Sequence, residues 1–389
     1  MHRKGAVSPP LHSGARVIEF ARLPRGQRLE AYGSRQAMQV LEAVEGCLDH
    51  FLPASRTPRR FRQSGDWLIS EDLLLNRLRL FGRRFSGVDL DVPIIPLQST
   101  LSGLRLWLSA PRIESRSPAV AVFLRSRLRA FYGGQDPKTL WIALGPLDGQ
   151  DLQRANIARE QFGGAPGVRV PRIIHADLET QPPYILEEAI TGRPFGLSSD
   201  WPLVSERLLP ALFAYYSRSG IEQQHAANLY NRQQIFTVVA GLLDENDPGV
   251  QRFREEVATW LAFGELTVPV VLGHGDLAKS NLLVGQDRTL FVLDWERCNT
   301  QPVAADLIKL IQQCPQLRSS IEHWLSCVTD KHTGLLPSAQ IRLAALAKLA
   351  TYVAWQTPDD YDAHARSSRA QKAKKARVWL RFARSLACE

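Results

Sequence analysis

Two polar motifs in the second half of the chain contain the residue types that phosphoryl transfer requires. In the first, His274 and Asp276 are separated by one residue and are followed by Asn281, and apolar residues flank this motif on both sides. In the second, Asp294 ends the apolar run 290–293. When a phosphoryl group moves from ATP to an alcohol, one carboxylate accepts the hydroxyl proton, while an Asn and a second carboxylate hold Mg²⁺ on the phosphates. We therefore predict that Asp276 is the catalytic base and that Asn281 and Asp294 bind Mg²⁺.

The residues between the two motifs predict a β-hairpin. Residues 282–284 are apolar and favour a short strand, 285–288 have turn composition, and 289–293 favour a returning strand. Such a hairpin would bring Asp294 back beside Asn281. The other interpretation is that these acids are ordinary loop residues near turns. We favour the catalytic interpretation because the polar residues interrupt two apolar strands at fixed offsets.

The segments 274–281 and 293–296 resemble the aminoglycoside phosphotransferase and choline kinase family, which are small-molecule kinases with a protein-kinase-like fold. Segment 302–307 is similar to the family segment in which a further Asp, here Asp306, caps a helix and braces the loop. In this family His274 would be a structural member of the loop rather than a base. The resemblance implies an α+β, two-lobed, protein-kinase-like fold, with a small antiparallel β-rich N-lobe and a larger helical C-lobe.

The same resemblance implies a nucleotide-binding N-lobe. Residues 151–162 favour a helix that contains Glu160, the expected partner of a phosphate-binding lysine. Segment 183–192 is similar to the last N-lobe strand and the hinge, where the carbonyl of Glu188 and the amide of Ile190 would bind adenine. A plain strand followed by a glycine turn is the alternative for this segment.

One departure from the family pattern concerns the positive charge on the phosphates. The family places Lys or Arg on its third strand, which aligns with the predicted strand 138–144, but that position is occupied by Ala143. Arg125 and Lys138 are the candidate substitutes, and no glycine-rich phosphate loop is evident. Lys279 could neutralise developing charge on the transferred phosphoryl group, or it could be a solvated loop lysine.

Composition narrows the class of partner. The chain has 389 residues, is 44% hydrophobic and carries a net charge of +9. It has no apolar run long enough to cross a membrane, no secretory signal, and five scattered cysteines without ligand spacing, so we expect a cytoplasmic protein with reduced thiols. The positive charge favours anionic partners. We expect a small-molecule or glycan hydroxyl acceptor of anionic character, for example a cell-envelope sugar or lipid-linked glycan. No zinc spacing or RNA-recognition signature accompanies the arginine clusters, so specific nucleic-acid binding is not expected.

The segmentation of the chain follows from these assignments. We expect a basic, partly helical N-terminal extension, with helices at 34–51 and from 67 to 80, followed by the two lobes and a basic C-terminal helix. The four segments are 1–95 for the extension, 96–190 for the N-lobe, 191–360 for the C-lobe and 361–389 for the last helix. That helix carries Trp379, Phe382 and Leu386 on one side. It could lie on an anionic membrane at the inner face, but packing on the C-lobe is the favoured interpretation.

Two functions therefore remain open. The first is an ATP-dependent kinase that phosphorylates an alcohol group. The second is a pseudokinase-like module that binds a nucleotide and acts through partners, as the missing strand lysine would allow. The intact set of Asp276, Asn281 and Asp294 favours the enzyme.

Overall fold

A computed structural model gives the fold of most of the second half of the chain and of several strands before it. It describes residues 59–64, 67–70, 112–115, 121–124, 128–132, 138–143, 146–163, 166–179, 183–190, 192–242, 248–262, 265–353 and 363–387. These residues form two compact units. The first contains the described residues up to Gln153 together with those of 171–191, and the second contains Arg154–Val170 and the described residues from Gly192 onward. None of the helices in these ranges is both long and apolar enough to span a membrane. The predicted helix at 34–51 lies outside the described residues.

The first unit is built on an antiparallel sheet of eight strands. In chain order the strands are β1 (Arg59–Ser64), β2 (Trp67–Ser70), β3 (Arg112–Ser115), β4 (Ala121–Leu124), β5 (Leu128–Tyr132), β6 (Lys138–Ile142), β8 (Ile173–Asp177) and β9 (Tyr184–Glu188). Their spatial order is β3-β1-β2-β4-β5-β6-β9-β8. This sheet confirms the predicted antiparallel β-rich lobe.

One prediction within the N-terminal extension is wrong where the structure describes it. Trp67–Ser70, predicted to begin a helix, is strand β2, and Arg59–Ser64 before it is strand β1. Strand β2 pairs with β1 on one side and with β4 on the other. The sheet therefore extends into segment 1–95, which we predicted to be an extension separate from the N-lobe.

Helix α1 (Pro146–Phe162) follows β6 and is divided between the units. Within the first unit its Leu152 packs with Trp141, Ala143 and Ile185 in a small apolar cluster. Strand β6 is buried along most of its length because it lies between β5 and β9. Strand β9, which leads into the predicted hinge, pairs with β6 on one side and with β8 on the other.

The second unit is mainly helical and contains two small sheets. Its helices after α1 are α2 (Leu209–Ser219), α3 (Ala226–Leu229), α4 (Arg232–Leu242), α5 (Pro248–Ala262), α6 (Val303–Gln313), α7 (Arg318–Val328), α8 (Pro337–Val353) and α9 (Ala363–Ala387). One sheet joins β11 (Glu222–His225), β12 (Thr267–Gly273) and β15 (Asn299–Pro302), and the other joins β7 (Val168–Arg169), β10 (Arg193–Pro194), β13 (Leu282–Val284) and β14 (Leu290–Val292). The helical C-lobe expected from the sequence is confirmed.

The C-terminal helix α9 packs into the core of the second unit. Trp379, Ala383 and Leu386 are buried in that core, and Phe382 packs against it. The apolar stripe that an interfacial helix would insert into a membrane is therefore covered by protein. Packing on the lobe, which we favoured from the sequence, is the arrangement observed.

Replacing Trp379 by Ala tests whether α9 is part of this core. Trp379 is 4% exposed, so Trp379→Ala should lower the free energy of unfolding by about 3–5 kcal/mol through lost burial and the cavity that remains. Its neighbour Val378 is 38% exposed, and Val378→Ala should change stability by no more than about 0.5 kcal/mol. Urea unfolding of both variants measures the difference, and equal effects would contradict the packing.

Candidate active site

The loop that carries Asp276 is fixed by the buried carboxylate of Asp306 on helix α6. Its Oδ2 accepts hydrogen bonds from the backbone N–H of His274 at 2.8 Å and from the Tyr216 hydroxyl at 2.7 Å. Its Oδ1 accepts from the backbone N–H of Gly275 at 2.8 Å and from the Gln301 side-chain amide at 2.9 Å. Four hydrogen bonds offset the cost of burying this carboxylate, which is 2% exposed.

The brace expected from the family resemblance is therefore present, but the expected helix cap is not. Asp306 is the fourth residue of α6, and the cap residue Pro302 has no side-chain hydrogen bond. The Asp306 carboxylate accepts hydrogen bonds from the backbone N–H groups of the loop, not from those in the first turn of its own helix.

Two glycines allow this close approach. Gly275 has φ of +79°, and a Cβ at this position would overlap the carbonyl oxygen of Arg297. At Gly273 a Cβ would lie 2.8 Å from Oδ2 of Asp306. A side chain at either position would therefore displace the loop from its brace.

His274 links the loop to the residue that precedes Asp294. Its Nε2 lies 2.7 Å from the carbonyl oxygen of Leu293, and its Nδ1 accepts a hydrogen bond from the backbone N–H of Asp276 at 3.2 Å. This pair of contacts requires a neutral ring with the proton on Nε2. Burial lowers the pKa of His274 and so favours the neutral form. His274 is thus placed for a structural role in the loop.

The carboxylate of Asp276 lies between two cations. Lys309 of helix α6 pairs with Oδ1, and the Arg297 guanidinium lies 3.8 Å from Oδ2. Burial, together with the positive charges of Lys348 and Lys375, lowers the pKa of Lys309 to about 7. The ion pair with Asp276 acts in the opposite direction and favours the charged lysine. Asp276 is 20% exposed, so one side of it is accessible.

Asn281 is positioned by the hairpin that the sequence predicted. Strands β13 and β14 pair antiparallel, with Leu282 opposite Val292. The Asn281 side-chain amide donates to the carbonyl of Asp276 at 2.8 Å, and the Asn281 carbonyl accepts from the N–H of Leu293 at 2.8 Å. The first bond ties Asn281 to the predicted base, and the second ties it to the residue before Asp294.

Asp294 adopts a conformation that non-glycine residues rarely take. Its φ is +66° and its ψ is 49°, in the left-handed region. The next residue, Trp295, is buried, and its ring lies 4.8 Å from that of His274. The indole N–H of Trp295 donates to the carbonyl of Val292 at 3.1 Å. The backbone turn at Asp294 is therefore held by the packing of its neighbour, as is common at functional sites.

The donor atoms of this site fit Mg²⁺. Mg²⁺ prefers oxygen ligands and is usually held by one or two carboxylates together with phosphate oxygens. Because Asn281 uses its amide nitrogen for Asp276, its Oδ1 is left as the ligand atom, with the Ser280 hydroxyl 3.4 Å away. Asp294 supplies a carboxylate. Across the ranges that the structure describes, no group of three or more His, Cys, Asp or Glu side chains is placed to hold a metal ion.

The two predicted hinge residues lie at the end of β9 in the first unit. The N–H of Glu188 donates to the carbonyl of Arg172 at 3.0 Å, and its side chain accepts from the N–H of Arg172 at 2.8 Å. Ile190 follows the strand and is half-buried. Adenine binding by the Glu188 carbonyl and the Ile190 amide stays a prediction.

Glu160 is the predicted partner of a phosphate-binding cation. Glu160 lies on the exposed face of α1 and accepts a hydrogen bond from Asn156 one turn earlier, at 2.9 Å. Ala143 is buried in an apolar cluster, and the candidate substitute Lys138 lies at the start of β6. Arg125 lies outside the described residues. The role of Glu160 in nucleotide binding stays a prediction.

Lys279 is exposed, and the sequence pattern missed two other cations. The backbone N–H of Lys279 donates to the Gln313 side chain at 2.9 Å. The cations beside Asp276 are instead Lys309 and Arg297. Arg297 lies close to Asp294 in the sequence and could have been suspected. Lys309 lies one helical turn after Asp306, a spacing that places it on the face of α6 that holds the loop.

Comparison with known families identifies the segment that contains this site. Residues 150–332 match the family model described as the phosphotransferase enzyme family. The matched segment contains Asp276, Asn281 and Asp294, and it confirms the resemblance drawn from the sequence motifs. Comparison with curated proteins finds no match.

Solved structures similar to this chain include three phosphotransferases. APH(2")-IIia in its complex with GDP and kanamycin is 12% identical, with a TM-score of 0.41, covering 67% of this chain and 90% of its own. Choline kinase LicA from Streptococcus pneumoniae is 13% identical, with a TM-score of 0.39, covering 80% and 99%. Macrolide 2'-phosphotransferase MphH from Brachybacterium faecium is 18% identical, with a TM-score of 0.40, covering 65% and 88%.

Replacing Asp306 by Asn tests the brace. The amide keeps one acceptor oxygen and turns an NH₂ group towards two of the four donors, so each donor left unpaired should cost about 1–3 kcal/mol of unfolding free energy. Asp287→Asn, on the exposed turn at 285–288, is the matched control and should cost less. Urea unfolding measures both variants. A loss at position 306 no larger than that of the control would contradict the brace.

The buried neutral His274 should make stability depend on pH. Its folded pKa lies below the unfolded value of 6.5, so the unfolded chain binds the extra proton first, and stability is lost as the pH falls below that value. The slope contributed by this residue approaches about 1.4 kcal/mol per pH unit. Urea unfolding between neutral and mildly acidic pH should give a shallower dependence for His274→Gln than for the wild type. The same dependence in both, or an equal change in the exposed control His332→Gln, would contradict it.

Proposed function

Since residues 150–332 belong to the phosphotransferase enzyme family, we propose that this protein transfers the γ-phosphoryl group of ATP to an alcohol. The observation that carries the proposal is the hydrogen-bonded connection of the three predicted groups. Asn281 bonds to the backbone of Asp276 and to the residue before Asp294. The proposed base and the proposed metal ligands therefore belong to one rigid loop and hairpin.

In the proposed step, the acceptor hydroxyl oxygen attacks the γ-phosphorus. A new O–P bond forms, the bond between the γ-phosphorus and the β–γ bridging oxygen breaks, and its electron pair leaves with ADP. The hydroxyl proton passes to the carboxylate of Asp276, which also orients the hydroxyl. The backbone carbonyl and N–H of Asp276 are hydrogen-bonded to Asn281 and His274. Its carboxylate, paired with Lys309, stays 20% exposed and can meet an acceptor hydroxyl.

Asn281 and Asp294 would hold Mg²⁺ at this site. The ion, when bound, supplies positive charge that neutralises the phosphate oxygens. What the chain itself contributes is a fixed position for the two ligand oxygens, set by the hairpin and by the buried Trp295. Lys279 stays a candidate for contact with the transferred group, since it is exposed on the same loop.

The proposed acceptor is an anionic alcohol, for example an envelope sugar or a lipid-linked glycan. The net charge of +9 favours such a partner. Membrane contact would have to use the basic face of α9, because its apolar stripe is buried.

A nucleotide-binding module without turnover is the second candidate. The specific observation that favours it is Ala143, buried among apolar side chains where the family has a phosphate-binding cation. Binding of Mg·ATP without transfer to water or to any alcohol would support this candidate instead of the enzyme.

Replacing Asp276 by Asn tests the enzyme directly. Removing a general base should lower the rate of γ-phosphoryl transfer by at least about a hundredfold, because the amide cannot accept the hydroxyl proton. Since the acceptor is unknown, the measurement is release of the γ-phosphate of labelled ATP to water and to a panel of sugars and polyols.

The control for this test is Glu265→Gln, which removes one carboxylate charge from an exposed position outside the site. It should keep the wild-type rate. Circular dichroism should give the same folded signal for all three proteins. Full turnover by the Asp276 variant would contradict the assignment.

A further inference from the structure

A cavity of about 170 Å³ opens beside Asp276 in the second unit. It is bounded by the catalytic loop and by helices α6 and α8. Its polar lining includes Gln301, Lys309, Lys348 and Thr351, and the remaining contacts are largely aliphatic. Any alcohol that gives its proton to Asp276 must place its neighbouring atoms in or next to this space.

The cavity contains two lysines but little free negative charge. Asp306 also borders it, yet its oxygens are fully used by four hydrogen-bond donors. Asp276 is already shared by Lys309 and Arg297. Among the residues that the structure describes, Lys348 forms no ion pair or hydrogen bond, although the charge of Asp306 favours its protonated form.

This arrangement of cations is unfavourable without a counter-ion. Lys348 is half-buried, and burial together with the charges of Arg297 and Lys375 lowers its pKa. Burial and the charges of Lys348 and Lys375 also lower the pKa of Lys309. An anion in the cavity would relieve the repulsion and restore hydrogen bonds to the Lys348 ammonium.

The volume limits what the anion can be. One water needs about 10–15 Å³ of such cavity space, so the cavity is large enough for several waters or for one phosphate or carboxylate group with a few carbon atoms. A polycationic acceptor would instead bring further positive charge to Lys348 and Lys309.

We propose that this cavity is the acceptor subsite and that Lys348, assisted by Lys309, binds an anionic group, a phosphate or a carboxylate, on the alcohol to be phosphorylated. This inference rests on the proposed function, because only a kinase has an acceptor. Binding of an anion in the cavity can nevertheless be measured without turnover. Lys348 would be a specificity-determining residue, and Asp276 would remain the base.

The first experiment measures binding in the absence of nucleotide and metal. Calorimetric titration with glycerol 3-phosphate should give binding to the wild type, and glycerol, the matched neutral alcohol, should give none. Lys348→Gln should weaken glycerol 3-phosphate binding by at least about tenfold, the usual contribution of a charge-assisted hydrogen bond. Lys331→Gln removes the same charge from an exposed loop and should leave the affinity unchanged.

The unfolding temperature of Lys348→Gln distinguishes lost anion binding from a folding defect. Removing one cation from a crowded, half-buried cluster should keep or raise the unfolding temperature of Lys348→Gln. Loss of binding at an undiminished unfolding temperature therefore supports the subsite. Equal affinity in Lys348→Gln and wild type, equal weakening in Lys331→Gln, or no binding of glycerol 3-phosphate to the wild type would overturn it.

A second experiment separates this inference from the proposed function. With Mg·ATP, glucose 6-phosphate and glucuronate should be better acceptors than glucose, and Lys348→Gln should remove that preference mainly through KM. If the protein phosphorylates neutral or cationic acceptors and Lys348→Gln does not change that turnover, the subsite is wrong and the kinase assignment is supported. Lys348-dependent anion binding with no turnover of any acceptor would support the subsite and overturn the kinase.

Discussion

The carboxylate of Asp306 is the interaction on which the rest of the site depends. It is buried, and its four hydrogen bonds join helix α6 to the backbone of His274 and Gly275, to Tyr216 and to Gln301. A buried charge that lost one of these partners would be expensive, so the loop cannot move away from the helix at low cost. Because Lys309 lies one turn further along the same helix, the brace also sets which cation meets the Asp276 carboxylate.

A second constraint fixes the other side of the site. The hairpin of β13 and β14 places Asn281 next to Leu293, and the left-handed turn at Asp294 is held by the buried Trp295. His274 joins the two constraints, since its ring contacts the backbone of Asp276 on one side and that of Leu293 on the other. The proposed base and the proposed metal ligands are therefore parts of one hydrogen-bonded structure, which is what preorganised phosphoryl transfer requires.

The parts that local sequence could predict are those whose partners lie nearby in the chain. The hairpin from Leu282 to Val292 has a turn signal between two short apolar runs, and it forms as predicted. Trp67–Ser70 is the exception, because only two residues separate it from one of its partners, β1, and the helix prediction overlooked this local hairpin. Its other partner, β4, is distant in sequence, and pairing between distant strands leaves no local signal. Lys348 could not have been assigned either. On helix α8 it has the pattern of any solvated lysine, and only the packing of α8 against α6 brings it to the cavity.

Phosphoryl transfer at this site requires Asn281 and Asp294 to present oxygen ligands to the metal that accompanies ATP. Calorimetric titration of ATP into the wild type and into Asp294→Asn, each with and without Mg²⁺, measures this most directly. We expect Mg²⁺ to strengthen ATP binding to the wild type and to have little effect on the variant, because the amide is a weaker ligand than the carboxylate. An equal effect of Mg²⁺ on ATP binding to both proteins would contradict the account.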